Sequence, residues 1–430
     1  MEFKDQDLSE QSPASDAPGN SQLITVLNLS VVTFLVLLGL NMVSPILPSY
    51  AESFQVSYTL VGFVISSFAV ARMILDIPAG LLSRRHDKKN IMILGLALLY
   101  VSSIMAGLAS DYITLVIARM IEGAGSACYV TAATVFLAQI SGKEKRGQWM
   151  SLYSGMLLLG SIFGPTFGGV IASASGIRSP FFAYAAVAGL GVIPTLALPK
   201  IENSSRVSAH DGNRSTLQDM RQVLTHPSFL LATFATFALF FIRTGVRSTL
   251  VPLFSANNLG LDTSYIGGVL TVAGVATAAT MVPMGKLSDR IGRRNPLVLC
   301  LLLTAVITVW IPFSSNLLEL LISMAIYGAI VGLSGPIAAY VTDVSPQDKL
   351  EVSMGLYRMI SDMGFIAGPL LLGFIADKTA IPVAGATHSG LIGVLPFATA
   401  SLILAMAGLS LLRAQDPMRK RVQCDSETVD

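Results

Sequence analysis

The sequence predicts an all-α integral membrane protein with twelve transmembrane helices in two pseudo-symmetric six-helix bundles. Three observations predict this fold. Hydrophobic residues make up 53% of the 430 residues and charged residues only 13%, against about 25% charged residues in a soluble globular chain. Twelve apolar runs are long enough to span a bilayer, which takes about 20 residues each. The two halves of the chain also repeat one another.

The repeat is clearest in a short cationic turn. Residues 285–295 read GKLSDRIGRRN, and a degraded copy, GLLSRRHDKKN, occupies residues 80–90, about 205 positions earlier. Further along, the segments 150–172 and 354–376 match at ten positions without a gap. A repeat of this period in an apolar chain indicates two bundled halves.

The turn resembles the signature of the major facilitator superfamily of secondary transporters, G-x-L-x-D-R-x-G-R-R between a second and a third membrane helix. The resemblance extends from about Leu23 to Leu412. It implies a gating motif at Gly80, Arg84, Arg85, Gly285, Asp289, Arg290, Gly292 and Arg293. We expect the two leading glycines to let helices approach closely. In the first copy Arg84 replaces the acid and Asp87 the second glycine, so the salt bridge is predicted for the second copy alone.

The predicted spans set the domain organisation. They cover residues 23–49, 58–83, 90–109, 112–139, 148–174, 179–199, 227–254, 263–287, 295–314, 316–342, 351–376 and 388–412. The chain is thus predicted to comprise a disordered tail (1–22), an N-terminal bundle (23–199), a linker loop (200–226), a C-terminal bundle (227–412) and a second tail (413–430). Apolar residues from Leu217 to Leu224 predict a short amphipathic helix on the membrane surface within the linker.

The loop cations predict the orientation of the chain. About 21 Lys and Arg residues would lie on the side of the two turns, and only Arg178 and Lys378 on the other. Both termini and the linker are therefore expected in the cytoplasm, in a multi-pass protein of the plasma membrane.

Charges within the spans are the candidate functional residues, because an ion in a bilayer is costly. In the fourth span, Arg119, Glu122 and the following glycine resemble the second motif of the superfamily, at depths of about 10 Å and 15 Å for the two charges. Asp362 of the eleventh span lies about 16 Å deep. We predict Glu122 and Asp362 as proton-coupling acids and prefer Glu122. Arg119 and Arg358, each one turn away, are their expected partners.

Other polar residues complete the predicted site. Arg72 and Asp76, four residues apart, predict a structural ion pair. Arg247 is expected to snorkel to the outer headgroups, whereas Arg243 is too deep for that and is expected to face the cavity. The predicted substrate or cavity residues are Arg119, Arg243, Arg358, Asn41 and Tyr327.

The fifth span carries G-x-x-x-G-P-x-x-G-G, which resembles the helix-5 motif of exporters and antiporters. The motif comprises Gly160, Gly164, Pro165, Gly168 and Gly169. Small residues at fourfold spacing predict a flat face for close helix packing, and the proline predicts a bend. Of all the motifs, this one most favours export.

These features favour a secondary active transporter that works by alternating access around a site between the halves. Within that class we favour a proton-coupled exporter of small lipophilic or drug-like molecules, similar to the twelve-helix drug–proton antiporters. The excess of intramembrane arginines over acids leaves open an exporter or exchanger of organic anions. A receptor without transport activity on the same fold is a further alternative.

Other functions lack their sequence signals. No phosphate-binding loop or nucleophile–base constellation indicates an enzyme or ATP-driven pump, and the three cysteines show no metal or disulfide spacing. We expect no metal, no cofactor and no nucleic-acid partner. The expected partners are a small-molecule substrate, protons and the bilayer, and the expected state is a monomer.

The predicted orientation can be tested by thiol labelling. A cysteine introduced at Ser204 in the linker should resist an impermeant thiol reagent in intact cells, because the linker is expected in the cytoplasm. A cysteine introduced at Asn257 should react. The reverse labelling pattern would invert the orientation.

Overall fold

The computed structural model describes residues 18–141, 146–199, 213–381 and 390–414. Over these residues the chain is helical apart from loops and an isolated bridge between Ile381 and Leu391. Eleven described helices are long and apolar enough to cross a membrane, and a twelfth apolar helix, Leu395–Leu411, has 17 residues. The predicted twelve-helix fold class is confirmed.

The helices are numbered in chain order. They are α1 (Pro18–Met42), α2 (Leu47–Glu52), α3 (Tyr58–Arg85), α4 (Lys88–Gly107), α5 (Tyr112–Ile140), α6 (Arg146–Ser175), α7 (Ser179–Leu196), α8 (Asn213–Thr225), α9 (Pro227–Ile242), α10 (Val251–Asn257), α11 (Thr263–Ile291), α12 (Arg294–Trp310), α13 (Leu317–Val331), α14 (Ile337–Val344), α15 (Leu350–Thr379) and α16 (Leu395–Leu411).

Three predicted spans are interrupted. The first span is divided between α1 and α2, and the tenth between α13 and α14. The seventh comprises α9, a π-helical segment from Arg243 to Leu250, and α10. We call Arg243–Leu250 the π segment. Such segments are frequently found at functional sites.

Two predicted boundaries need correction. The first tail was predicted to end at residue 22, but α1 begins at Pro18. The linker helix, α8, begins at Asn213 rather than near residue 217. Its Val223 is fully buried, and Asp219 pairs with Lys349 at 3.3 Å, so α8 packs against the C-terminal half. Residues 1–17 and most of the second tail lie outside the described residues.

Polar caps begin several of the membrane helices. Asp111 accepts the N–H of Thr114 at 2.8 Å, and this bond lowers the pKa of Asp111. Asp87 accepts the N–H of Lys89 at 3.1 Å and so caps α4. Its counterpart Gly292 instead has φ +91°, a conformation that favours glycine. The exchange of glycine for aspartate between the two turns therefore reflects two different ways of joining corresponding helices, α3 to α4 in the first half and α11 to α12 in the second.

Each half is held together by glycines that face a backbone. A Cβ at Gly168 of α6 would lie 1.8 Å from the carbonyl oxygen of Met42 in α1. A Cβ at Gly164 of α6 would lie 2.7 Å from the carbonyl oxygen of Leu38 in α1, and its counterpart Gly368 of α15 would place a Cβ 2.3 Å from the carbonyl oxygen of Phe241 in α9. The packing face expected for residues 160–169 is therefore present, and the second half repeats it.

The two halves meet where α3 crosses α15 and α6 crosses α11. Four glycines lie against carbonyl oxygens of the other half, at distances from a built Cβ of 2.2 to 2.4 Å. The pairs are Gly62 with Pro369, Gly267 with Pro165, Gly169 with Thr263 and Gly373 with Tyr58. We call these the glycine quartet. All four contacts lie toward the same end of the molecule. The two cationic turns lie at the other end, which we call the turn end. The end that holds the glycine quartet is called the opposite end.

Aspartates add polar contacts between the halves at the opposite end. Asp377 of α15 accepts the N–H of Tyr58 at 2.6 Å and the N–H of Thr59 at 2.8 Å, so it caps α3 from the other half. On the second crossing, a hydrogen bond from Ser173 of α6 lowers the pKa of Asp262, the N-cap of α11. In the repeat, Ser173 corresponds to Asp377, and Asp262 corresponds to Ser57, the N-cap of α3, so the acid and the serine have exchanged places between the two copies. The opposite end is closed.

The turn end is open by comparison. Gly155 of α6, Gly285 of α11 and Gly355 of α15 have no atom within 4 Å of a built Cβ. No hydrogen bond or ion pair between described residues joins the halves at this end. The expected close helix approach at Gly285 is therefore wrong for this conformation, and Gly80 has a single neighbour at 4.0 Å.

The cap provided by Asp377 predicts a measurable gating effect. Asp377→Asn should favour opening at the opposite end, because it weakens charge-assisted bonds between the halves by about 1 kcal/mol, or about fivefold in population. A cysteine introduced at Ser44, which lines the cavity, should then react faster with an impermeant reagent added at that end. Asp111→Asn, which removes a cap within one half, is the matched control and should leave the rate unchanged. Equal rates in both variants would show that the Asp377 cap does not hold this end closed.

Candidate functional site

A cavity lies at the centre of the molecule between the two halves. Its volume is about 180 Å³, and residues of α1, α3, α5, α6, the π segment and α15 line it. The polar and charged lining residues are Asn41, Ser44, Arg72, Arg119, Ser161, Arg243, Thr244, Arg247 and Ser248. Phe68 and Phe365 are prominent in its apolar lining. We call it the central cavity.

Arg72 forms an ion pair that crosses the boundary between the halves. Its partner is Asp362 of α15, whose side chain is 6% exposed. The predicted ion pair of Arg72 with Asp76 is therefore wrong, and so is the predicted pairing of Asp362 with Arg358. Both predictions relied on spacing along one helix, whereas α3 and α15 cross at this level and bring the nearer partner from the other half.

Two phenylalanines enclose this ion pair. The guanidinium carbon of Arg72 lies 5.7 Å from the ring centroid of Phe68 and 5.4 Å from that of Phe365. Each ring comes from a different half, and their centroids are 6.5 Å apart. Aromatic faces within about 6 Å attract a cation, more strongly where water is excluded.

Arg119 and Glu122 form the local pair expected from the sequence. Both side chains are buried, with 6% and 3% exposure. Arg119 also lies 5.0 Å from the ring of Phe68, so Phe68 contacts both arginines. Gly123 makes this arrangement possible, because a Cβ there would lie 2.3 Å from the carbonyl oxygen of Phe68. Glu122, Arg119, Phe68, Arg72 and Asp362 thus form one continuous chain of contacts.

The π segment places two further arginines at the central cavity. Arg243 lines it, as expected from its depth. Arg247 lines it as well and donates to the carbonyl oxygen of Leu270 at 3.0 Å. The expectation that Arg247 snorkels to the headgroups is therefore wrong. Arg243 and Arg247 stand four residues apart in the π segment, and both side chains lie on its cavity face.

A second pocket of about 420 Å³ lies on the turn-end side of the central cavity. It is lined by Asp76, Arg358 and Asp362, and Arg72 lines both spaces. The Arg72–Asp362 pair therefore lies where the two spaces meet. Arg358 faces this second pocket rather than the central cavity.

The other two predicted cavity residues differ in their placement. Asn41 lines the central cavity and donates to the carbonyl oxygen of Leu37 at 2.8 Å. Tyr327 is 2% exposed and belongs to the hydrophobic core of the C-terminal half. The prediction that Tyr327 lines the cavity is therefore wrong for this conformation.

The second cationic turn forms a three-residue ion-pair cluster. Arg293 contacts Asp289 at 3.0 Å, and it contacts Asp343 of α14 at 2.8 Å. The salt bridge predicted for this copy is present, with Asp343 as an additional partner, and Arg290 is exposed. The side chains of Arg84 and Arg85 in the first copy lie outside the described residues.

Both turns also hold the last helix of their half. Arg294 donates to the carbonyl oxygen of Ala414 at 3.0 Å, just beyond α16. Its counterpart Lys89 donates to the carbonyl oxygen of Leu198 at 3.0 Å, just beyond α7. Cations at helix C-termini satisfy unpaired carbonyls and complement the helix dipole. This shared task accounts for a cation at the same place in both copies.

Sequence reasoning missed four residues of the site and its gates: Phe68, Phe365, Asp343 and Asp377. A phenylalanine in an apolar span has no distinguishing signal. Asp377 did carry one, because an acid beside the end of a membrane helix is a natural cap for a neighbouring helix. The partner helix could not be identified without the crossing geometry.

Comparison with known proteins identifies the family. A family model described as Major Facilitator Superfamily matches residues 29–254 and 234–422. The chain belongs to the major facilitator superfamily. The family indicated by the turn is confirmed, and with it a multi-pass membrane transporter.

Relatives within the superfamily include drug-resistance proteins. Multidrug resistance protein 2 of Bacillus subtilis is 27% identical over 350 residues, covering 80% of this chain and 86% of that protein. Quinolone resistance protein NorA of Staphylococcus aureus is 25% identical over 353 residues, covering 80% and 88%. The similarity to drug-efflux proteins inferred from the sequence is confirmed.

Solved structures of the superfamily share the fold. A bacterial homologue of the human lysosomal transporter Spinster, in an inward-facing and unoccupied conformation, matches with a TM-score of 0.72 and 16% identity over 92% of this chain and 96% of that one. The nucleoside transporter NupG matches with a TM-score of 0.71 and 15% identity over 91% and 100%. At these identities the likeness concerns the fold alone.

The contact at Gly123 predicts a stability difference between two glycines. Gly123→Ala should lower the melting temperature of the purified protein, because the new methyl group meets the backbone of α3 at 2.3 Å. Gly155→Ala in the same half meets no atom within 4 Å. It should be neutral or stabilise by up to about 1 kcal/mol, as alanine for glycine does within a helix. Thermal unfolding of both variants in one detergent tests the difference, and equal shifts would contradict it.

Proposed function

We propose that this protein is a proton-coupled exporter of small lipophilic, drug-like molecules, with the turn end in the cytoplasm. The observation that carries the proposal is the Arg72–Asp362 pair, which joins the halves beside a central cavity that is closed at the opposite end. The names of two relatives, multidrug resistance protein 2 and quinolone resistance protein NorA, support a drug-like substrate.

Alternating access requires two closures that are not present together. The glycine quartet and Asp377 close the opposite end in the conformation described. Three glycines at the turn end have open space beside them and leave backbone surface on which the halves can close in turn: Gly155, Gly285 and Gly355. Rocking of one bundle against the other around the central cavity would exchange the two closures.

The geometry favours Asp362 over Glu122 as the coupling acid. Asp362 lines the second pocket, and its partner Arg72 lies in the other half. Glu122 lines neither space, and its partner Arg119 lies three residues away on the same helix. A rocking motion can separate Asp362 from its partner but carries Glu122 and Arg119 together. We therefore revise the preference for Glu122.

Protonation of Asp362 would act through Arg72. An ionised Asp362 is stabilised by the adjacent guanidinium, whereas a protonated one holds Arg72 less strongly. Because the two partners lie in different halves, protonation of Asp362 would weaken a contact that the rocking motion has to break. Proton binding and the rocking motion are then linked, as any ligand is linked to the state that it prefers.

Neutralising each acid in turn tests the proposal. The assay is proton-gradient-driven uptake into inverted vesicles, beside gradient-independent exchange, with a substrate found by screening lipophilic cations and small organic anions. Asp362→Asn should reduce driven uptake to the level of empty vesicles and keep exchange. Glu122→Gln, which neutralises an equally buried acid, is the matched control and should keep both activities.

Other outcomes have definite meanings. Driven uptake retained by Asp362→Asn and lost by Glu122→Gln would return the coupling role to Glu122. Retention of pH-dependent driven uptake by both variants would show that neither acid couples the proton. Failure of every solute to move would favour the receptor alternative.

A further inference from the structure

The charges around the central cavity do not balance. Its four charged lining residues, Arg72, Arg119, Arg243 and Arg247, are all arginines. Asp362 neutralises Arg72 and Glu122 neutralises Arg119. Among the described residues no carboxylate forms an ion pair with Arg243 or Arg247. Two uncompensated cations therefore lie at a depth where an isolated ion is costly.

Arg247 is fixed in place with part of its hydrogen-bonding capacity unused. One terminal nitrogen donates to the carbonyl oxygen of Leu270 at 3.0 Å. Its Nε is buried and has no hydrogen-bond partner among the described atoms. A buried donor left unsatisfied on a charged group is strongly unfavourable. A ligand oxygen would relieve this cost, and the planar guanidinium suits a two-oxygen acceptor.

Arg243 is the free member of the pair. It is exposed to the cavity, and its guanidinium carbon lies 6.0 Å from the ring of Phe240 on its own helix. It stands four residues before Arg247 on the π segment, so both line one wall. Thr244 and Ser248 stand beside them in the lining, and Ser161 of α6 adds another hydroxyl.

The lining of the central cavity also contains an apolar patch. It includes Leu37, Leu40, Ile65, Phe68 and Phe365. A cavity with two unpaired cations at one wall, and an apolar patch beside the paired Arg72 and Arg119, fits a molecule with a compact anionic group and an apolar body. A cationic drug would instead place its charge beside two unpaired arginines.

We propose that Arg243 and Arg247 form an anion subsite, and that the substrates are small amphiphilic organic anions, carboxylates above all. The anionic group lies between the two guanidinium groups, and the apolar body lies against Phe68 and Phe365. This inference rests on the proposed function, since it names the substrate class of that same cavity. Arg72 and Arg119 are excluded from the subsite because each already holds a carboxylate.

Three isosteric probes test the subsite without any gradient. They are 4-phenylbutyrate, 4-phenylbutanol and 4-phenylbutylamine, which share a body and differ in the head group. Binding to the purified full-length protein, in nanodiscs of phosphatidylcholine, is measured by calorimetry. The carboxylate should bind at least tenfold more tightly than the alcohol or the amine. Equal binding of the three probes, or preference for the amine, would overturn the proposal.

Variants assign the preference to the two arginines. Arg243→Gln and Arg247→Gln should each weaken carboxylate binding at least tenfold and leave binding of the alcohol unchanged. Arg178→Gln removes a cation that lies outside the cavity, near the ring of Tyr50, and should change neither. An unchanged carboxylate preference in Arg243→Gln and Arg247→Gln would contradict the subsite.

Two further measurements distinguish the subsite from a structural ion pair and from a lipid site. The melting temperature of ligand-free Arg243→Gln should be equal to or higher than that of the parent, because an unpaired charge within a membrane span is removed; a clear fall would reveal a structural ion pair instead. Nanodiscs that contain phosphatidylglycerol should not abolish probe binding. If they do, the anion bound at this wall is a lipid headgroup and the proposed substrate class is wrong.

Binding and transport can fail separately. Carboxylate-selective binding without driven transport in vesicles would support the subsite and contradict the proposed exporter. Driven export of lipophilic amines by a protein that shows no carboxylate preference would support the exporter and overturn the subsite.

Discussion

The ion pair between Arg72 and Asp362 is the interaction on which the rest of the structure depends. Each charge stabilises the other, since an unpaired buried ion costs several kcal/mol. Each bundle therefore contributes a residue that only the other bundle can satisfy. Phe68 and Phe365, one from each half, lie against the guanidinium of Arg72, and Phe68 extends the contact to Arg119 and so to Glu122. The cavity, its charges and the boundary between the halves are thereby one connected unit.

The internal duplication is kept in the contacts that close the molecule but not in the charges of the cavity. The closures obey the repeat, because Gly62 corresponds to Gly267 and Gly169 to Gly373, and all four meet a carbonyl oxygen of the other half. The charges do not obey it. The positions equivalent to Arg72, Arg119 and Asp362 are Thr277, Met324 and Leu158. Backbones of the two halves meet closely at two crossings, and each crossing requires glycines, so both copies keep them. The single cavity needs only one set of charges.

The fold and the identity of the charged residues could be predicted from the sequence, but the pairing of those charges could not. Apolar length and the repeat determine the spans, and a rise of 1.5 Å per residue places Glu122 and Asp362 near the midplane. Spacing along one helix also found the Arg119–Glu122 pair, because both partners lie on α5. It failed for Arg72, whose partner is 290 positions away. Depth within the span misplaced Arg247, because depth does not tell whether a side chain faces the lipid or the cavity. Contacts between halves depend on how helices cross, which no local pattern records.

The cap that Asp377 places on α3 makes the two faces of the molecule unequal as entrances. A solute present only at the opposite end can bind only to the fraction of molecules open on that side, and its apparent dissociation constant is the intrinsic one divided by that fraction. A solute at the turn end meets a cavity that is already open. Identical contacts in the cavity thus yield strong binding from one face and weak binding from the other. A carboxylate far from the cavity thus helps to set the apparent affinity for a solute at each face of the membrane.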